Sequence, residues 1–308
     1  MRAEPVQDIQ ATVLFGIGAQ KAGTTWLHDW FATNPAVHVS PVKEAHYFDA
    51  LLHPGERGHV TLRARQLEDI AKRLRTAGGP KHFANLHGQA ERMVKLLSIH
   101  AGDPESDSAY LDWLFADHRG QPVVTDITPS YATLDRAGFA RMAAVAPRTR
   151  FLFVLRDPVE RLWSAMRMTG AREAEARGTD FASTVRRWYD AVLAGEQPRQ
   201  SERSDYLRTL TELEAAVPAG HSLTVFFEDL FTPETLGRIT AFLGLPAHPG
   251  GAVAPSNAGR RLEIDTERRA AGVAALAADY TFIAERFGDA LPAAWRRQMA
   301  YLPARAEV

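Results

Sequence analysis

The chain has no cysteine. Disulfides, thiolate-held metals and cysteine nucleophiles are therefore excluded. It also lacks any apolar run near the ~20 residues that a membrane-spanning helix needs. Its N-terminus, MRAEPVQDIQ, is polar and has no signal-peptide core, so a cytoplasmic location is the expectation. Neither sign of charge is in excess: 36 Lys and Arg stand against 37 Asp and Glu, a formal net charge of -1. No field of the whole molecule draws it toward nucleic acid or an anionic membrane, and an anion site has to be built locally. His82, His87, His100 and His118 are scattered without the compact spacing of a metal site. No metal requirement is expected. Internal repeats and low-complexity tracts are missing too.

What is present suits a globular protein. Hydrophobic residues make up 45% of the 308 positions and charged residues 24%, enough to bury a substantial core. Short apolar runs at 12–17, 37–39, 123–127, 150–155 and 223–227 read as buried parallel strands. Helix-like segments at 134–145, 161–168, 181–193, 205–217 and 233–243 fall among them, with Pro158 suited to a first helical turn. The alternation predicts an α/β fold. Its three-layer, P-loop-like core has a mostly parallel sheet of about five strands flanked by helices, with the functional loops at the C-terminal strand ends. The expected organisation is one domain over 1–308. Segment 53–119, rich in His, Arg and Gly, is expected as an insertion of mixed helix and loop on the acceptor side. Segment 244–261, ending in PSNAGRR, is expected as a loop closing over a nucleotide.

The run FGIGAQKAGTTWL at 15–27 carries the most information. A strand-like run enters a loop with Gly18 and Gly23, and a helix opens at Thr24, Thr25 and Trp26. Strand, loop and helix start together aim backbone N–H groups at an anion. A nucleotide-hydrolysing P-loop reads GxxxxGK[ST]. Here the glycine spacing is kept, but Thr24 takes the lysine position and the lysine sits inside the loop as Lys21. A phosphate still suits this loop, without the usual lysine reaching toward a β,γ-phosphate pair.

Four motifs together resemble the sulfotransferases that use 3′-phosphoadenosine 5′-phosphosulfate (PAPS), in particular bacterial and carbohydrate-type members. QKAGTTWL at 20–27 is similar to the family's 5′-phosphosulfate loop. KEAHYFD at 43–49 resembles its KE-x-x-x-F element. FLFVLRDPVERLWSAM at 151–166 is similar to its 3′-phosphate element, where an arginine ends a strand and a serine follows eight residues later. SNAGR at 256–260 resembles its late glycine/arginine loop. The resemblance implies that PAPS is the sulfuryl donor and that the acceptor is a carbohydrate, lipid or small metabolite. It implies donor contacts from Lys21, Ala22, Gly23, Thr24, Thr25 and Trp26 at the 5′ end. Arg156 and Ser164 would hold the 3′-phosphate, and Gly259 and Arg260 would close the late loop. Lys21 would neutralise charge on the leaving phosphate, because transfer at a charged centre depends on positioning and electrostatics.

Glu44 and His46 are the candidate general bases, since an attacking hydroxyl must lose its proton; the resemblance favours Glu44. Glu44 also fits an ion pair with Lys43 or Lys21, and His46 fits a packing role. In TDITPSY at 125–131, Asp126 and Ile127 replace the glutamate and lysine of the family's EKSPxYF element. Asp126 either orients Lys21 or a substrate hydroxyl, or belongs to a structural turn before Pro129. The run Arg63, Arg65, Lys72, Arg73 and Arg75 reads as a solvated helix face or as a contact for an anionic acceptor. Tyr110, Trp113 and Phe115 offer aromatic faces for such an acceptor, unless segment 53–119 is only a helical cap. Two other classes compete: an ATP-dependent small-molecule kinase, against which Thr24 argues, and a non-catalytic nucleotide-binding protein, against which Lys21 and Glu44 together argue.

Overall fold

A computed structural model of the chain describes residues 9–249 and 259–302. Among them, β1 (Thr12–Gly18), β2 (Val37–Val39), β3 (Val123–Ile127), β4 (Thr149–Leu155) and β5 (Ser222–Phe226) form one sheet in the order β2-β3-β1-β4-β5. Every pairing is parallel. β1 lies in the middle, with Thr12 opposite Val123 on one side and Val13 opposite Thr149 on the other. It is buried at every position after Thr12. Strands covered on both faces have no solvent side to alternate with, so they read as unbroken apolar runs.

Helices supply that cover. α1 (Thr24–Ala32) leads from β1 to β2 and buries Leu27, Trp30 and Phe31. α2 (Tyr47–Leu52), α3 (Gly58–Leu74), α4 (Pro80–His100) and α5 (Ser108–Leu114) lie between β2 and β3, and α6 (Arg136–Ala144) between β3 and β4. α7 (Pro158–Arg177), α8 (Phe181–Leu193), α9 (Pro198–Glu202) and α10 (Tyr206–Ala216) precede β5. α11 (Pro233–Phe242), α12 (Thr266–Ala275), α13 (Ala277–Phe287) and α14 (Ala293–Met299) follow it.

α7 starts where local chemistry dictates. The Asp157 carboxylate accepts from the Glu160 N–H at 3.0 Å, and Pro158 fills the first turn. The helix ends at Gly178 in left-handed backbone, φ 65. It therefore runs well past the 161–168 expected from the sequence. Its middle lies tight against α8: a Cβ at Gly170 would come within 2.7 Å of Val185 Cγ2 and 3.1 Å of the Val185 backbone.

Segment 53–119 is more helical than its composition suggests. α3 and α4 pack on each other as a hairpin, and Ile70 is the buried residue of α3. α5 behaves differently. Tyr110, Trp113 and Leu114 are buried and Phe115 packs partly buried against the core. The expectation that these aromatics face an acceptor is thus corrected: their apolar area is spent on the sheet, and Tyr110 stacks on Tyr47 with ring centroids 4.6 Å apart. His82 and His87, on α4, are exposed.

Candidate active site

The chain leaves β1 toward β2 and β3 on one side, and returns from β3 to β4 on the other. The loops after β1 and β4 diverge from neighbouring strand ends, and such a switch point leaves a crevice. Lys21 comes from the first loop and Arg156 from the second. Arg156 Nη1 donates to the Lys21 carbonyl at 2.8 Å, and its guanidinium lies 4.7 Å from the centre of the Phe227 ring. Tyr206 steadies the same corner by donating to the Arg156 carbonyl at 2.7 Å. A cleft of about 500 Å³ opens at Arg156, lined also by Phe227, Arg269, Arg297 and Tyr301.

The loop after β1 is wound tightly. Lys21 adopts φ 71 and Gly23 φ 79, both left-handed. Gly23 precedes α1, and no side chain caps the helix start. A Cβ at Gly23 would meet Leu230 at 3.0 Å and Phe227 at 3.1 Å, so space and backbone both demand glycine. Lys21 Nζ lies 3.7 Å from Met168 Sδ on α7. Burial, then the neighbouring charges of Arg156, Arg167 and Arg172, push its pKa down; Glu44 pulls the other way. Arg167 Nε is buried without a hydrogen-bond partner. An uncapped helix start beside crowded cations, one with an orphaned N–H, fits a multiply charged anion.

The other expected donor contacts are placed as follows. Ser164 is buried on α7, two turns beyond Arg156. Thr24 is buried and Thr25 half-buried at the start of α1. Ala22 is fully buried, and its N–H donates to the Ala19 carbonyl at 3.1 Å, so the turn itself uses that donor. Trp26 is packed edge-on to Phe231 at 4.8 Å and only 4% exposed. Gly259 and Arg260 are exposed, and the Arg260 guanidinium lies 4.4 Å from the Phe181 ring centre. Ser256, Asn257 and Ala258 of the late loop lie outside the described residues. The segment just after that loop is tied to α7, because Trp163 Nε1 donates to the Leu262 carbonyl at 2.8 Å.

Glu44 and His46 follow β2 at the same sheet edge. The segment is neither strand nor helix there. Glu44 has φ 60 and His46 φ 54, and Arg63 holds the bend by donating to the Lys43 and Glu44 carbonyls at 3.0 and 2.7 Å. That bend sets both side chains on one side: His46 Nε2 is 3.6 Å from Glu44 Oε2. His46 Nδ1 is 2.7 Å from Asp49 Oδ2, and Lys43 Nζ pairs with Glu44 Oε1. Burial disfavours the imidazolium, but the bonds to Asp49 and Glu44 outweigh it and carry the His46 pKa up to about 9. Burial likewise works against the Glu44 carboxylate. His46 and Lys43 overcome it and hold the carboxyl well below its usual range. At neutral pH Glu44 is therefore a carboxylate and His46 an imidazolium.

Asp126 serves the core. It is fully buried, and its Oδ2 accepts from the hydroxyls of Tyr110 at 2.8 Å and Tyr131 at 2.7 Å, its Oδ1 from Thr128 at 2.7 Å. Burial raises its pKa while the three hydroxyls oppose the rise. Of its two readings, the structural one describes these contacts.

Sequence reasoning passed over Arg167, Phe227 and Asp49. Arg167 shares a helix face with Ser164, three residues earlier, and Asp49 follows His46 at the same interval; that spacing was a usable signal. Phe227 had none, since its neighbours Gly23 and Arg156 are remote in sequence. Atoms of His46, Asp49 and His59 gather within 4.8 Å of one another, close enough in principle for a metal. The two imidazoles, however, are stacked 3.5 Å apart at an interplanar angle of 9°. Lone pairs of near-parallel rings lie in separate planes and do not converge on one ion.

The sequence profile of the sulfotransferase family matches residues 14–249. Carbohydrate sulfotransferase 15 of Rattus norvegicus is 30% identical over 151 residues, 48% of this chain and 25% of that protein. The Homo sapiens protein of the same name matches equally. The chain thus aligns with about a quarter of the length of these relatives. In fold, it is similar to the crystal structure of a sulfotransferase from Alicyclobacillus acidocaldarius, with TM-score 0.58 at 21% identity over 92% of this chain and 98% of that one.

Proposed function

The chain belongs to the sulfotransferase family, and from that premise we propose that it transfers a sulfuryl group from PAPS to a hydroxyl of a carbohydrate-class acceptor. One observation carries the reading: Lys21, Arg156 and Glu44, from three different loops, meet at the C-terminal edge of one parallel sheet. When bound, PAPS supplies the activated sulfuryl group. Lys21, Gly23, Thr24 and Thr25 are assigned to its 5′ end, Arg156 and Ser164 to its 3′-phosphate. Gly259 and Arg260 are assigned to closure, and Ala22 and Trp26 to shaping the loop and its helix. The Lys21 ammonium would neutralise charge on the phosphate of a bound donor. Glu44 takes the acceptor proton at a carboxylate oxygen. His46 is less suited to that task, because an imidazole already protonated at neutral pH has no free lone pair to offer. Its cation instead orients Glu44 and keeps it ionised. The carbohydrate class is supported by KEAHYFD and by the 30% identity to a carbohydrate sulfotransferase. The whole chain is assigned to one catalytic domain, with 53–119 on the acceptor side.

The test is a screen of PAPS against glycan, lipid and small hydroxyl acceptors, with mass-spectrometric detection of the sulfated product. Lys21→Ala should cost two or more orders of magnitude in turnover, about 2.7 kcal/mol or more of transition-state stabilisation. Glu44→Gln should abolish turnover while 3′,5′-ADP still binds. Near-normal turnover by folded Lys21→Ala, or ATP consumed in place of PAPS, would sink the reading.

A further inference from the structure

We propose that His59 is a positioning residue for the catalytic array, acting on His46 through the flat face of its ring. The inference rests on the reading of Glu44 as the base. His46 stands just before α2, and His59 is the second residue of α3. Their rings are stacked with centroids 3.5 Å apart and planes 9° from parallel.

The need for such a face follows from the contacts of His46. Its Nδ1 end is fixed by Asp49 at 2.7 Å, while its Nε2 end reaches Glu44 at only 3.6 Å. A ring held firmly at one nitrogen can still tilt about that end, and a tilt carries Nε2 away from Glu44. A parallel ring in van der Waals contact removes the tilt.

His59 is itself anchored from behind. Its Nε2 is 2.7 Å from Glu56 Oε2, and both Glu56 oxygens accept from Arg203 Nη2 at 2.8 Å. Glu56 is 1% exposed and Arg203 9%. An ion pair that deep is seldom the most stabilising way to fill the space, since apolar residues of equal volume often do as well. What it supplies is one fixed geometry. Arg203 follows α9 and Glu56 precedes α3, so the pair ties two distant segments behind the His59 ring.

The experiment compares His59→Phe with His59→Leu in the full chain. Phe keeps a flat ring, whereas Leu fills the space without one. Two readouts apply: the imidazole NMR signals of His46, assigned through His46→Gln, and turnover with PAPS and the acceptor used for Glu44→Gln. Binding of 3′,5′-ADP checks that each variant is folded. The His59→Leu variant should lose the downfield, exchange-protected Nδ1–H signal of His46. Its kcat should drop about tenfold or more, the scale on which a misplaced catalytic group loses rate, with donor KM unchanged. The His59→Phe variant should keep the signal and stay within about threefold of wild type in kcat. Unaltered kcat or an unaltered His46 signal in His59→Leu overturns the proposal, as does His59→Phe being equally impaired. Intact turnover in Glu44→Gln would instead overturn the base assignment, leaving the NMR comparison to judge the ring contact by itself.

Discussion

Arg156 has two obligations in one side chain. Its Nη1 braces the Lys21 carbonyl and its guanidinium plane rests near Phe227, which leaves the rest of the fork for a ligand. If it reads the 3′-phosphate, wild type should bind 3′,5′-ADP more tightly than 5′-ADP. A charge-assisted bond is worth about 1.5–3 kcal/mol, so Arg156→Ala should erase roughly a ten- to hundredfold preference. Arg156→Lys should recover only part, because an ammonium cannot brace the carbonyl and grip the phosphate in the same plane. Calorimetric titration of both nucleotides decides the matter; equal affinity in wild type removes Arg156 from the 3′ end.

At the scale of elements, α7 and α8 show how closely one residue sets a spacing. Replacing Gly170 with alanine gains about 1 kcal/mol of helix propensity but thrusts a methyl into Val185, backbone included, and overpacking costs about 1–3 kcal/mol. The clash should win, so Gly170→Ala should lower the urea midpoint; a raised midpoint would mean that α8 shifts freely. Much of the element pattern was legible beforehand. β2 and β3 lie at 37–39 and 123–127 as read, and α8 covers 181–193 with Asp180 as its cap. Apolar runs bounded by polar caps are local signals, which is why they could be read. The length of α7 was hidden because charged residues beyond Gly170 coat a surface face. The burial of α5 was hidden because Tyr110 finds Asp126 sixteen residues away. At the site, Lys21 and Arg156 could be chosen from motifs. The left-handed bends at Glu44 and His46 could not, since Arg63, about twenty residues on, holds them.

For the molecule as a whole, buried acids set the response to pH. Burial raises Asp157 to about 7 and Asp279 to about 6, against an ordinary 3.8. Over those intervals the folded state holds protons that the unfolded state has released, so stability falls as pH rises. His46, raised to about 9 from 6.5, contributes fully below 6.5 and loses its contribution as pH rises through 9. Glu56 acts in reverse. Burial is outweighed by His59 and Arg203, its pKa sits at about 2, and its contribution is complete above 4.5 and lost as pH falls through 2. Stability should therefore peak at about pH 4, where the gain from Glu56 gives way to the losses from Asp157 and Asp279, and decline toward pH 9. Thermal melts across that range test the sign, and a Tm that climbs from pH 5 to 9 contradicts it. Asp157→Asn should flatten the decline below 7 and leave the later part intact. A different consequence follows from the Asp126 carboxylate, on which α5, β3 and the turn after it all close. The segment between β2 and β3 is not a separable flap. A protease cutting the exposed turn between α3 and α4 would leave a nicked molecule whose two pieces stay together, with the amides of α5 exchanging as slowly as those of the sheet.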